Sequence, residues 1–232
     1  MRGRHRAAAA GCAAAVALLA GCGGSGAAPG PAQPTVLSGA GVCPGGILNP
    51  GAVRGIETVT GATRFQPPEE GRGAGVQWVA GVLVRGYATA GASLGGEACL
   101  AVPVDGAGRR RLSLGFAIQS EEQRVGEHSE SGRGHYWEYD LGRSALAISR
   151  QAKLFFDCAS ARLAGLARAV PVETIVSVSD GSEGDQPALR EANLTVAHSA
   201  ALAMARELGC KDDGGLPERL LLRQTAARTV EP

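Results

Sequence analysis

Lysine is almost missing from this chain of 232 residues: Lys153 and Lys211 are the only two among 23 basic side chains. With 35 glycines and abundant alanine, that skew reads as the codon bias of a GC-rich genome rather than as chemistry. Aromatic residues are scarce too, at 4%. The chain also lacks an excess of either charge. Its formal net charge is +1, and setting aside residues 1–21 with their three arginines leaves 20 basic against 22 acidic side chains, or −2. Without a basic field there is nothing to hold a phosphate backbone or anionic lipid headgroups, so no nucleic acid partner is expected. The S-x-x-K of penicillin-binding enzymes, the H-E-x-x-H of zinc proteases, the P-loop and the Rossmann glycine fingerprint are all absent. No C-x-x-C marks a metal site, and no cofactor is implied.

What is present begins at the N-terminus. Arg2, Arg4 and Arg6 form a basic start, an apolar run follows from Ala7 to Ala20, and small residues close it. This is the three-part pattern of an export signal. The run falls short of the roughly 20 apolar residues that a membrane-crossing helix needs. Leu19-Ala20-Gly21-Cys22 resembles the bacterial lipoprotein consensus, in which the cysteine sulfur receives a diacylglyceryl group. Cys12 follows Ala9-Ala10-Gly11, but the apolar run before it is too short for a signal. Residues 1–21 are therefore expected to be a lipoprotein signal peptide and Cys22 the lipidated residue. The partner this implies is the membrane, reached through the lipid, with the chain on the extracytoplasmic face of the cell membrane. Two or more acyl chains anchor stably where one is marginal. Residues 22–35, mostly Gly, Ala, Pro, Ser and Gln, have nothing to bury and read as a flexible tether.

Four cysteines remain: Cys43, Cys99, Cys158 and Cys210. An even number in an exported chain argues for two disulfides. Three pairings are possible; Cys43–Cys99 with Cys158–Cys210 is the one that staples each half separately.

Along residues 36–217, one α+β domain is expected: an antiparallel sheet packed by a long C-terminal helix and a short N-terminal helix. Asn49-Pro50 starts the short helix, with Asn49 as cap, and Gly61 ends it. Val76 to Thr89, rich in Val, Trp and Tyr, reads as extended structure bulged at Gly81 or Gly86. Ala98–Val104 and Arg111–Ser120 continue as strands around a turn at Asp105-Gly106-Ala107-Gly108. Ser120 to Gly134 is a polar loop. His135 to Leu141 alternates, with Trp137, Tyr139 and Leu141 on one side and Tyr136, Glu138 and Asp140 on the other, which is the strand period. Ser144–Cys158 is strand at its Leu154-Phe155-Phe156 end and undecided before it, and Val172–Ser179 is a further strand. Asp185 caps the long helix, Pro187 sits in its first turn and Gly209 stops it. At 100° per residue its apolar face is Val196, Ala197, Ala200, Ala201, Met204 and Leu208. Glu191, Thr195, His198, Ser199 and Arg206 lie opposite, and Asn193 on the apolar side needs hydrogen-bond partners. Residues 218–232 read as a frayed tail.

Leu154-Phe155-Phe156-Asp157-Cys158-Ala159-Ser160-Ala161-Arg162-Leu163, Arg190-Glu191-Ala192-Asn193-Leu194-Thr195 and Gly209-Cys210 together resemble a group of uncharacterised actinobacterial lipoproteins. The resemblance covers about a third of the chain; Ala161 stands where the group carries proline. It implies a lipobox and disulfides and no chemistry.

Candidates for chemistry are few. Gly91-Ala92-Ser93-Leu94-Gly95 matches the G-x-S-x-G of a nucleophile elbow, but a strand pattern follows where the motif needs a helix, and a hairpin turn explains it. Glu127, His128, Glu130, His135, Glu138 and Asp140 are the densest set of ligand types, and a solvated acidic loop explains them equally. Trp137 and Tyr139 read as core or as a sugar-stacking platform. His198 reads as exposed, and Arg109-Arg110-Arg111 as a solvated edge. The leading expectation is a non-catalytic binding or interaction module whose partner is an envelope protein or a small ligand. An envelope hydrolase using Ser93 or the His128/His135 region is the first alternative, and the solute receptor of a transport system the second.

Overall fold

The structure, a computed structural model, describes residues 35–69, 73–104, 110–119, 134–179 and 184–230, without the side chains of 134, 135 and 227–230. Several sequence expectations lie outside the described residues: the signal and Cys22, nearly all of the tether, the turn at 105–108, Arg109, and the polar loop with Glu127, His128 and Glu130.

Seven strands form one antiparallel sheet: β3 (Ser93–Ala101), β4 (Leu112–Ile118), β5 (Gly134–Tyr139), β6 (Ser144–Ile148), β7 (Gln151–Ser160), β8 (Gly165–Val178) and β9 (Gln224–Val230). Their spatial order is β3-β4-β8-β7-β6-β5-β9. A small ribbon pairs β1 (Leu37–Ser38) with β2 (Arg64–Phe65). Among the described residues, three α-helices, α1 (Pro50–Thr60), α2 (Gly75–Ala90) and α3 (Pro187–Leu208), and a short 3-10 turn at Lys211–Gly215 complete the α+β fold. Period two divides the sheet residues. Leu112, Leu114, Phe116 and Ile118 of β4, Ala152, Leu154 and Phe156 of β7, and Val172 and Val176 of β8 join the helices in one core.

Local chemistry explains α1. Asn49 Oδ1 accepts from Ala52 N at 2.9 Å, Pro50 occupies the first turn, and Gly61 closes the helix with φ 70°. Gly55 lets α1 cross α3 backbone against backbone, because a Cβ there would stand 2.9 Å from the Ala192 carbonyl oxygen. Arg110 Nη1 donates to Val59 O near the open C-terminal end of the same helix, at 3.3 Å.

The segment 76–89 is a helix, not a strand. Its Val, Trp and Tyr content favours extended structure, yet Val76, Val79, Ala80 and Leu83 repeat at helical spacing and are the buried ones. The glycines expected to bulge a strand serve close packing instead. A Cβ on Gly86 would collide with Ser93, and one on Gly95 with Leu83 and Val79. Accordingly α2 lies flat on β3.

The undecided stretch after Ser144 is the β6–β7 hairpin, and β8 starts at Gly165, earlier than expected. Helix α3 has its predicted limits, Pro187 to Leu208, with Gly209 at φ 68°, but Asp185 does not cap it. Gln186 holds the cap position without a side-chain bond, and the Asp185 carboxylate is engaged elsewhere. Fourteen of its 22 residues are buried, so the expected polar face is only partly polar. Ser199 donates to Ile47 O at 2.9 Å and accepts from Asn49 N, and His198 lies under the segment around Pro217. Asn193 finds its partners in the Ile148 and Ser149 carbonyls. Within the expected tail, residues 224–230 form an edge strand: β9 pairs with β5 along the sheet edge from Gly134↔Val230 to Tyr139↔Gln224.

Two disulfides join Cys43 to Cys99 and Cys158 to Cys210. The first fastens the segment before α1 to β3, and the second fastens the end of α3 to β7. Each closes more than fifty residues, about 4 kcal/mol in the chain-entropy model.

Candidate functional site

Ser93 opens β3 directly after α2, so the chain runs helix to strand, the reverse of a nucleophile elbow, and not through a hairpin turn. Its Oγ faces the Val82 carbonyl at 3.4 Å. His135 lies on β5, and His128 is outside the described residues. Asp140 is bound by Arg223 at 2.6 Å. Among the described residues no three His, Cys, Asp or Glu side chains converge as metal ligands would. His198 is buried, correcting its exposed assignment. Its Nε2–H donates to Pro217 O at 2.7 Å, and burial lowers its pKa below the ordinary 6.5, against the raising effect of that bond.

Trp137 and Tyr139 are not a stacking platform. Trp137 carries the Arg190 guanidinium 4.4 Å above its ring and donates Nε1–H to Asp185 at 2.6 Å. Tyr139 is buried, with its hydroxyl 3.3 Å from Arg190 Nε. Arg190 also pairs with Asp185 and reaches Gln224 of β9. The second Asp185 oxygen accepts from Ser149 N and Ser149 Oγ. Burial works to lower the Arg190 pKa, but its bonds to Tyr139 and Asp185 outweigh that and raise it, so the cation is permanent. This network pins the start of α3 to β5, β6 and β9.

An open groove lies on the other face of the sheet. Leu94, Gly96, Glu97, Ser113, Gly115 and Ser177, from β3, β4 and β8, line a groove of about 240 Å³ together with Ala117 and Ile175. The register builds it: Ser113 faces Ser177 and Gly115 faces Ile175 across the β4–β8 pair. Glycines make the floor flat, and a Cβ on Gly115 would stand 3.0 Å from the Gly96 carbonyl oxygen. Bulges at Leu94/Gly96 and Glu97/Cys99 turn β3 along one side. Trp78 of α2 reaches the sheet edge, with its ring 3.9 Å from where a Gly96 Cβ would be. Leu94, which lines the groove, is 87% exposed, so that side of its rim is apolar. In the rows beside the groove, Glu173 faces Ala117 and Lys153 faces Ile175. Glu173 is buried, paired with Lys153 at 3.5 Å and bonded by Gln119.

None of the groove residues was singled out from the sequence. Trp78, outside the lining, had a signal of exposure: once 76–89 is taken as a helix, it falls off the Val76–Val79–Ala80–Leu83 stripe and must face outward. Glu97, Ser113 and Ser177 had none, since only strand order brings them together.

The fold and groove define a class: a disulfide-stapled α+β domain with one sheet face covered by helices and an open apolar-rimmed groove on the other. No family model matches the chain, and comparison with curated proteins and with solved structures gives no match. The disulfides point to an extracytoplasmic compartment. No helix among the described residues is long and apolar enough to cross a membrane.

Proposed function

We propose that this protein is a non-catalytic binding module of the cell envelope, lipid-anchored through Cys22 and presenting the β3–β4–β8 groove to a ligand. The groove, with exposed Leu94 on its rim, carries the reading: concave, mostly apolar sites with a few polar groups are the usual form of a binding site. The resemblance to actinobacterial lipoproteins and the Leu19-Ala20-Gly21-Cys22 motif support the anchoring.

A photo-crosslinking residue placed at Leu94, with one at exposed Glu218 as reference, tests this in intact cells. An adduct from position 94 and not from 218, in a membrane fraction that Cys22→Ser empties, is the expected result. Equal labelling from both positions, or none from 94, overturns the groove. A wild-type chain found soluble overturns the anchor.

A further inference from the structure

We propose that Lys153 and Glu173 join their side chains in an amide bond, a covalent staple between β7 and β8. The register sets the two groups up. Phe155 faces Glu173 and Lys153 faces Ile175, so Lys153 and Glu173 are diagonal neighbours on one face of the sheet. Lys153 Nζ stands 3.5 Å from Glu173 Oε1, which brings the amine beside the carboxyl carbon. Groups held this way react as parts of one molecule, without the loss of freedom that slows the same step between separate molecules.

Three observations separate this pair from an ordinary ion pair. Glu173 is 3% exposed, yet its Oε1 accepts no hydrogen bond, although an ammonium with three donors is its neighbour. The residues that face the pair across the strands, Phe155, Ala117 and Ile175, are apolar, and there the cost of desolvating two charges offsets much of their attraction. An amide removes both charges. The third observation is the choice of residue. All but two of the 23 basic side chains are arginine, and arginine, with its planar fork and weaker hydration, suits a buried ion pair better. Lysine stands here instead, and its primary amine can form an amide.

Gln119 Nε2 donates to Glu173 Oε2 at 2.5 Å, so Oε2 is the oxygen steadied as it takes up negative charge, and Oε1 is the one that leaves. One Lys153 proton passes to Oε1 and the freed amine adds to Cδ. A second proton follows to Oε1, the Cδ–Oε1 bond breaks and water departs, leaving one N–H on the amide. The two charges cancel, and no co-reactant is consumed. Each disulfide ties a strand to a segment outside the sheet, whereas this bond ties two neighbouring strands to each other.

Mass spectrometry of the purified full-length protein, reduced and digested with trypsin, tests the proposal. The expected result is no cleavage after Lys153, with peptide 151–162 joined to peptide 169–190 at a mass one water below their sum. Lys153→Arg keeps the charge without the amine and is expected to give separate peptides at full mass. Gln119→Leu is expected to slow the joining by about a hundredfold, so that freshly made protein with an unchanged far-ultraviolet dichroism spectrum is mostly unjoined. Joining as complete as in wild type would overturn the part assigned to Gln119. Normal cleavage after Lys153 in the wild-type chain, with Glu173 in a peptide of full mass, overturns the amide and leaves an ion pair. Either result is independent of the groove, which the adduct at position 94 tests.

Discussion

Replacing Arg190 with leucine removes the centre of the buried polar network while keeping an apolar side chain against Trp137. The wild-type guanidinium, with its side chain 6% exposed, makes a charge-assisted bond to Asp185, a bond to Tyr139 and a cation–π contact at 4.4 Å. These are worth about 1.5–3, 1 and 1 kcal/mol respectively in other proteins. Asp185 is 34% exposed, so it rehydrates when its partner leaves and keeps its bonds to Ser149 and Trp137, which trims the loss. The expected destabilisation is about 3 kcal/mol, the low end for breaking a buried pair. Urea unfolding of the Cys22→Ser chain, followed by far-ultraviolet dichroism, reads it as a midpoint shift of about 1.5 M. A cycle with Trp137→Phe is expected to return a coupling energy of about 1 kcal/mol. A loss below about 0.5 kcal/mol, the range of ordinary surface substitutions, would refute the account and make Arg190 a cation available for another task.

Removing the second disulfide with Cys158→Ala/Cys210→Ala should cost about 4 kcal/mol in the same assay, and an unchanged midpoint would show that α3 stays docked without it. His198 is buried neutral, so its contribution to stability is full above 6.5, the ordinary histidine value, and declines as the pH falls below it, because the unfolded chain takes up a proton that the folded chain resists. Unfolding midpoints measured from about pH 7.5 down to pH 5 should fall in wild type and flatten in His198→Gln, which can still donate toward Pro217; parallel slopes would exclude His198 as the source. Ending the chain after Glu218 removes β9 and bares the long edge of β5, so lower stability and aggregation are expected. A truncated chain as stable and monomeric as the whole would mean that β9 does not hold the sheet.

Local chemistry alone was enough for a good part of this fold. Asn49-Pro50 and Gly61 mark α1 because caps and left-handed glycines act within a few residues of the helix they bound. The same holds for Pro187 and Gly209 around α3, and alternation along 135–141 placed Trp137, Tyr139 and Leu141 toward the core. Even cysteine number in an exported chain implied the staples. Non-local choices escaped it. Residues 76–89 carry strand-like composition over helical spacing, and packing against β3 at Gly86 and Gly95 decides for the helix. Asp185 reads as a cap until Arg190, Trp137 and Ser149 surround it. His198 and Ser199 look solvent-facing because the segments that cover them, around Pro217 and Ile47, are distant in the chain. Residues 224–230 are unremarkable by composition and become an edge strand only because β5 offers them a partner. The groove belongs to the same category. Glu97, Ser113 and Ser177 are far apart in sequence and carry no shared pattern, and they meet because an antiparallel sheet sets residues of β3, β4 and β8 side by side on one face.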